Sequence, residues 1–425
     1  MAQPVVGKIC DWGTALLVFL LPWQARWIAR VGERPLTGTP LEWLTLSLFA
    51  TEVLVATLVV IAMFDRDFRT RVGRYVDRRV LVLALTLVVL AALSVFWSHN
   101  RDVAIQKAAT LALASGAFVL MVGARRPILL IRAFVASISL QAAVGIAQTI
   151  HNFSPASTWL GIAEHSAFAG GASVVEWAGG RLLRAYGTLP HPNVLGGFFA
   201  LAIMIGLNVF LRTSKPRSRV FLTVSLALLT LGLLLTFSRS AWLAVAVGLL
   251  PIFIRERRRV WAERRSLVLA VVPALVVAFV FWSAVVGRVT GQGRLENRST
   301  AERVSSWRDG LDVFVGHPFL GVGAGQLNPD VYVSSAISTE PTHFVPLQVA
   351  VELGTIGLLS ALTLWYLVFM TAKKSAVALG VFLALSTVAA LDHYLWTLWA
   401  GNLLLIFGIA QVFLSCPTSD VGQMD

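Results

Sequence analysis

The chain has 425 residues, 57% of them hydrophobic and only 13% charged, with a mean hydropathy of +0.76. An ordinary soluble domain carries roughly twice that charged fraction. The net charge of +13 does not point to nucleic acid, because the basic residues sit in short loops between apolar runs, where they set topology.

Twelve apolar segments follow along the chain: Ile9–Trp23, Leu41–Phe64, Val80–Trp97, Ala104–Val122, Ile128–Ile150 and Val194–Leu211, then Val220–Phe237, Ala241–Ile254, Leu267–Val286, Pro346–Met370, Val377–Leu391 and Leu395–Leu414. A bilayer crossing needs about 20 apolar residues, so the first and eighth are short. Strands of a β-barrel would alternate in short segments, and none do. The expected fold is all-α: a polytopic membrane helix bundle of about twelve spans, one integral domain over 1–425. Cys10 and Cys416 form no disulfide or zinc pattern, and the first run lacks a small-residue cleavage site.

Charge orients the spans. "DRDFRTRVGRYVDRR" from Asp65, "ARR" from Ala124, "RTSKPRSR" from Arg212, "RERRRVWAERR" from Arg255 and "AKK" from Ala372 alternate with less basic loops. The positive-inside rule puts them and both termini in the cytoplasm. The loop Gln24–Pro40, with Arg26, Arg30 and Arg34, is the one misfit. Two long loops, His151–Asn193 and Gly287–Val345, fall on the outer face. Loops of that length are usually functional or disordered, and these are rich in aromatic residues. They are expected to fold against the bundle and cover a site.

The second loop holds a readable helix, "STAERVSSWRDGLDVFVGHP". Ser299 and Glu302 have capping-box spacing, and Gly316 and Pro318 end the helix. Val304, Trp307, Leu311 and Val315 share one face, with Arg303 beside it. "FLGVGAGQ" follows. It is a weak phosphate-loop signal, because no strand precedes it.

Four outer-face stretches carry candidate chemistry. "RLLRAYGTLPHPN" supplies Arg184, His191 and Asn193. "TFSRSAW" places Ser238 and Ser240 as helix caps around Arg239. A helix N-terminus with a guanidinium suits phosphate oxygens, although a snorkelling arginine fits as well. Arg303, Trp307 and Arg308 lie on the loop helix. His343 precedes a helix opened by Pro346, with Thr342 as a candidate cap. That position disfavours the imidazolium and leaves a neutral ring able to take a hydroxyl proton. Capping or interfacial anchoring is the competing role. Among the other histidines, His191 reads as a turn former and His393 as an interfacial loop residue. Glu352, two turns inside its span, is an intramembrane acid, with a function or a buried partner. No acidic metal pair or HExxH appears, so neither metal nor cofactor is expected.

In order, "RAYGTLPHPNVLGGFFAL", "LTFSRSAWLA", "RVSSWRDGLDVFVGHPFLGVGAG" and "THFVPLQVAVELGTIGLLS" resemble the O-antigen ligase and polymerase superfamily of bacterial envelopes, over about 184–360. The resemblance implies an inner-membrane glycosyltransferase with a periplasmic active site and an undecaprenyl diphosphate-linked glycan as donor. For a ligase the acceptor is a lipid A–core sugar. Residues at the positions of Arg239 and Arg303 would hold the diphosphate, and His343 would act on the acceptor, without metal. Polymerase activity on lipid-linked repeat units is the alternative within the superfamily. A lipid-linked glycan transporter is the alternative outside it. Such a protein would place its charges mid-membrane and within repeats.

Overall fold

The structure is a computed structural model that describes residues 3–33, 40–177, 180–291, 294–326 and 340–416. The first half contains α1 (Gln3–Phe19), β1 (Arg26–Arg30), β2 (Leu46–Phe49), α2 (Ala50–Ala62), α3 (Phe68–Tyr75), α4 (Arg78–Leu93), α5 (Arg101–Val122) and α6 (Pro127–His151). Two small hairpins follow, β3 (Phe153–Ser154) with β4 (His165–Ser166) and β5 (Val174–Trp177) with β6 (Gly180–Leu183). The second half contains α7 (Pro192–Arg212), α8 (Pro216–Leu235), α9 (Arg239–Arg255), α10 (Arg257–Ala262), α11 (Arg264–Val280), α12 (Trp282–Thr290) and α13 (Arg294–Gly316). It closes with α14 (Val345–Ala372), α15 (Ala376–Leu391), α16 (Tyr394–Thr397) and α17 (Trp399–Leu414).

Each of the twelve apolar segments contains a helix, although Leu41–Phe64 enters through β2, and not all of the helices are long. Among the described residues, six helices have the length and hydropathy to cross a membrane: α4 with its following turn, α5, α6, α7, α8 and α14. The pair α11–α12, bent by 88°, makes a seventh. The other apolar segments form α1, α2, α9, α15 and α17, of 13 to 17 residues each. Length alone therefore supports six or seven spans rather than twelve. The expectation of an all-α fold also omitted the two-stranded pairs β1–β2, β3–β4 and β5–β6 seen among the described residues, with β2 inside the second apolar segment.

Helix starts follow local chemistry. Asp77 and Asn100 accept the Arg79 and Val103 amides as N-caps of α4 and α5. Proline opens α6, α7 and α8, where its missing N–H is no loss. The centre of the bundle is α7, 83% buried over its most apolar window. Glycines let neighbours approach it. A Cβ at Gly197 would meet the Tyr394 hydroxyl at 2.1 Å, and one at Gly196 would meet the Ala241 methyl at 2.7 Å.

The misfit arginines have acidic partners. Arg26 makes a two-pronged ion pair with Glu42, and Arg30 lies 3.0 Å from Asp102. Arg34 lies outside the described residues. At the basic end of the bundle, Asp65 is buried and bound by Arg71 at 2.6 Å and Arg125 at 3.0 Å.

The glycine-rich stretch has a structural task. α14 breaks at Gly354 (φ 65°, ψ −166°), and the strip after α13 seats in the break. Thr355 N donates to Pro318 O (2.8 Å), Val322 N to Val351 O (2.9 Å) and Gly323 N to Glu352 O (3.0 Å). Gly321, Gly323, Gly325 and Gly354 all have positive φ, the region glycine enters without strain. The Glu352 carboxylate accepts from Gly325 N and Gln348 Nε2, both at 2.8 Å, so its hydrogen-bond partners are an amide side chain and a backbone amide. A Cβ at Gly354 would lie 2.1 Å from Phe319 O. Gly354→Ala is therefore expected to cost at least the roughly 1–3 kcal/mol of a strained backbone and to lower the melting temperature in detergent. Gly73→Ala, where a Cβ meets nothing within 4 Å, is the control.

Candidate active site

The candidate residues lie at the N-termini of α7, α9 and α14 and the C-terminus of α15, the ends away from the basic loops, and midway along α13. The first part of the site is the turn between α8 and α9. Ser238 is the N-cap of α9; its hydroxyl accepts from Ala241 N (3.4 Å) and sits 3.2 Å from the Ser240 hydroxyl. Both serines are buried, so they build the turn. Phe237 has φ 46°, a strained conformation for a bulky residue. Two arginines hold the strain. Arg184 Nε donates to Thr236 O (2.6 Å), and Arg288 donates through two nitrogens to Phe237 O (3.0 and 2.8 Å). They neutralise the negative C-terminus of α8, while Arg239 stands at the positive N-terminus of α9. Arg239 is half-buried, and a Cβ on Gly291 would lie 3.6 Å from its guanidinium.

Arg184 links this turn to the next part. It is 5% exposed, and its other arm donates to Asn193 Oδ1 (2.7 Å). Asn193 Nδ2 in turn donates to Asp392 Oδ2 (2.9 Å). His191 caps α7: its Nδ1 accepts from Asn193 N (3.1 Å), and its Nε2 is 3.0 Å from Ser173 Oγ. Burial and the Arg184 charge push His191 down to about 3, so the ring is neutral and engaged in building the turn. Arg184→Lys keeps the charge but cannot span both partners. It is expected to lose about 1.5–3 kcal/mol for each charged hydrogen bond removed, read as a lower melting temperature.

Asp392, at the C-terminus of α15, is the hub. Its Oδ1 accepts from His393 N (3.0 Å). Burial pulls its pKa up, but His393, His343, His191 and Arg303 outweigh burial and hold it below the usual carboxylate value. The His343 and His393 rings meet edge to face at 4.9 Å. His393 Nδ1 lies 2.7 Å from Thr397 Oγ1, and burial lowers its pKa to about 4. His343 is held below its ordinary value, first by burial and then by Arg303, with Asp392 acting the other way. Ser306 Oγ faces His343 Nδ1 at 3.5 Å.

α13 supplies Arg303 and Ser306 on the face turned to α14. The charge of Arg303 acts on His343, Asp392 and His393. The helix begins at Arg294, earlier than the capping-box spacing implied, and it ends at Gly316 as read. The stripe Val304, Trp307, Leu311 and Val315 is exposed. The buried face is Ser306, Gly310 and Val313. Trp307 stays near the site, 6.3 Å from the Phe344 ring. Arg308 is exposed, two residues and about 200° round the helix from Ser306. Thr342 is not the cap of α14; Phe344 occupies that position, and the Thr342 amide and hydroxyl both donate to Gln348 Oε1.

Sequence reasoning did not single out Asp392 or Arg288, and it read His393 only as an interfacial loop residue. Asp392 was findable as a lone acid at the end of an apolar span, a weaker form of the intramembrane-acid signal that drew attention to Glu352. Among the described residues, His343, Asp392 and His393 offer ligand atoms within 4.8 Å of one another, a grouping compatible with a metal ion. Their distance in sequence hides it from any spacing rule.

No curated protein matches the chain significantly. Residues 224–362 match the family model described as O-Antigen ligase. That stretch contains the Arg239 turn, α13 and the first part of α14; Arg184, Asn193, Asp392 and His393 lie outside it. The match covers 139 of the 425 residues and makes that part of the chain similar to the O-antigen ligase family.

Proposed function

We propose that the protein is an O-antigen ligase, transferring a glycan from an undecaprenyl diphosphate carrier to a sugar hydroxyl of lipid A–core. The carrying observation is a hydrogen-bonded chain from Thr236 through Arg184 and Asn193 to Asp392, whose carboxylate lies within 4.8 Å of a His343 ring nitrogen, with the charge of Arg303 acting on both. It lies opposite the basic loops, which by the positive-inside rule is the periplasmic side. A one-sided site of this kind favours transfer over transport.

The acceptor oxygen attacks the anomeric carbon as the bond from that carbon to the diphosphate oxygen breaks. The hydroxyl proton passes to His343. Its Nδ1 faces Ser306, so Nε2 is the atom that receives the proton. The Asp392 carboxylate stabilises the imidazolium that forms and, through its bonds to Asn193 and His393, fixes the geometry. Arg239 and Arg303, with the N-termini of α9 and α14, neutralise the departing diphosphate. A single displacement inverts the anomeric centre. No step requires a metal at the His343–Asp392–His393 group.

The test is transfer by purified protein given lipid-linked glycan, with and without lipid A–core. Product on the core supports the ligase. Elongated lipid-linked glycan, with none on the core, would establish the polymerase instead.

A further inference from the structure

At the opposite end of the bundle from the candidate site lies a groove of about 690 Å³. The end of α2 and the start of α3 form one wall, the first half of α4 forms the other, and the second half of α5 is the floor. Small floor residues, Ala112, Ser115 and Gly116, give it depth. Its volume is that of a pocket for a small molecule, about 300–1,000 Å³.

Depth confines the groove to one half of the membrane. Its α4 wall ends at Val88, ten residues after that helix starts at Arg78. At about 1.5 Å per residue this is about 15 Å, half of a hydrocarbon core about 30 Å thick. The floor agrees: it begins at Ala112, ten residues before α5 ends at Val122. Below the mouth the lining is apolar except for Ser115, whose hydroxyl donates to Leu111 O (2.9 Å). Such an interior suits acyl chains.

The mouth is charged. Arg66 and Arg69 line it and are exposed, and Asp65 lines it as well. Asp65 is bound by both Arg71 and Arg125, and the exposed Asp67 is the other acid in this stretch. Four arginines against two aspartates leave the mouth net positive. Arg66 has a contact of its own within the protein, but a guanidinium carries several N–H donors and can keep one contact while meeting a phosphate oxygen. The rim is fixed without a ligand. Arg71 Nε donates to Gly123 O (2.8 Å), and its guanidinium lies 5.7 Å from the centre of the Phe68 ring, which ties α3 to the end of α5. By the positive-inside rule this end meets the cytoplasmic leaflet, where basic residues attract anionic headgroups.

We propose that the groove is a resident site for an anionic glycerophospholipid of the inner leaflet, with its acyl chains between α2 and α4 and its phosphate at Arg66 and Arg69. A zwitterionic lipid brings an ammonium or choline group against the positive mouth and binds less well. The lipid-linked donor is not the occupant, since its diphosphate belongs at the other end of the bundle.

The experiment uses the full chain, delipidated in detergent, with phosphatidylglycerol or phosphatidylcholine added and retained lipid read by native mass spectrometry. This readout stands apart from the transferase reading. Phosphatidylglycerol is expected to bind at least about tenfold more tightly than phosphatidylcholine, and the double variant Arg66→Gln/Arg69→Gln should bring the two within about twofold. Arg257→Gln/Arg258→Gln, an exposed pair in another basic loop, should keep the preference. Ala84→Trp, which fills the groove from α4, should lower retention of both lipids at unchanged melting temperature. If Ala84→Trp lowers the melting temperature, the two arginine pairs decide alone. Equal retention of both lipids by wild type, or equal loss in the two arginine pairs, overturns the proposal. Retention that ignores a folded Ala84→Trp places the lipid elsewhere and overturns it too. A dimer broken by Ala84→Trp, with no lipid retained, would assign the groove to a second copy of the chain instead.

Discussion

His343→Ala is expected to lower kcat for transfer by about 10²–10⁴, the usual span for a lost general base, while the protein keeps its fold. His343 stands before the N-cap of α14; its ring faces Ser306 at 3.5 Å and meets the His393 ring edge to face, and neither contact caps the helix, so its removal leaves the helix start intact. The pH profile adds a sign. Burial, then Arg303, holds His343 below its ordinary value of 6.5. The neutral ring therefore persists below pH 6.5, and activity should fall only as pH drops through the lowered value. Asp392 favours the protonated ring and Arg303 opposes it. Asp392→Asn should move the acid limb to lower pH, and Arg303→Ala should move it to higher pH, measured on residual kcat/KM. Limbs that move in the opposite directions would remove His343 as the titrating group.

Arg239→Ala and Arg303→Ala are each expected to lower kcat by about 10²–10³, the cost of losing a donor aimed at developing negative charge. The two arginines come from different elements, the first turn of α9 and the α14-facing side of α13. Lysine at either position should recover part of the loss, since it restores charge but not the two-pronged geometry. Arg308→Ala, on the exposed face of α13, should leave kcat within a few-fold. An equal loss in all three variants would indicate a general effect of surface charge on the lipid-linked donor.

Much of this architecture was legible because apolar length and loop charge are strong signals. Every apolar segment contains a helix, with β2 leading into α2 in the second. Their count as spans did not follow, because hydropathy cannot separate a short helix buried among others from one that crosses alone. α9, α15 and α17 are of this kind. At the site, Ser238, Ser240, Arg239, Arg303 and His343 stood out through capping and charge at helix ends. Asp392 and His393 did not, since their role comes from packing α15 against the bundle and bringing "DHY" beside His343. Arg184 was read as a candidate ligand holder and His191 as a ligand holder or, first, a turn former; each bonds protein partners that shape the turns. The glycine-rich strip after α13 was ambiguous for a similar reason. Its positive φ angles serve contact with the break at Gly354, a partner known only once the fold is assembled.

The central claim is that arginines and a neutral histidine carry out the transfer without metal. It is tested most directly by transfer to lipid A–core in the presence of chelator, comparing wild type with His343→Ala and Arg239→Ala of equal melting temperature. The account predicts full activity for chelated wild type and near-complete loss in both variants. Loss of wild-type activity on chelation with recovery on adding metal would contradict it, and would turn attention to the His343–Asp392–His393 group as a metal centre.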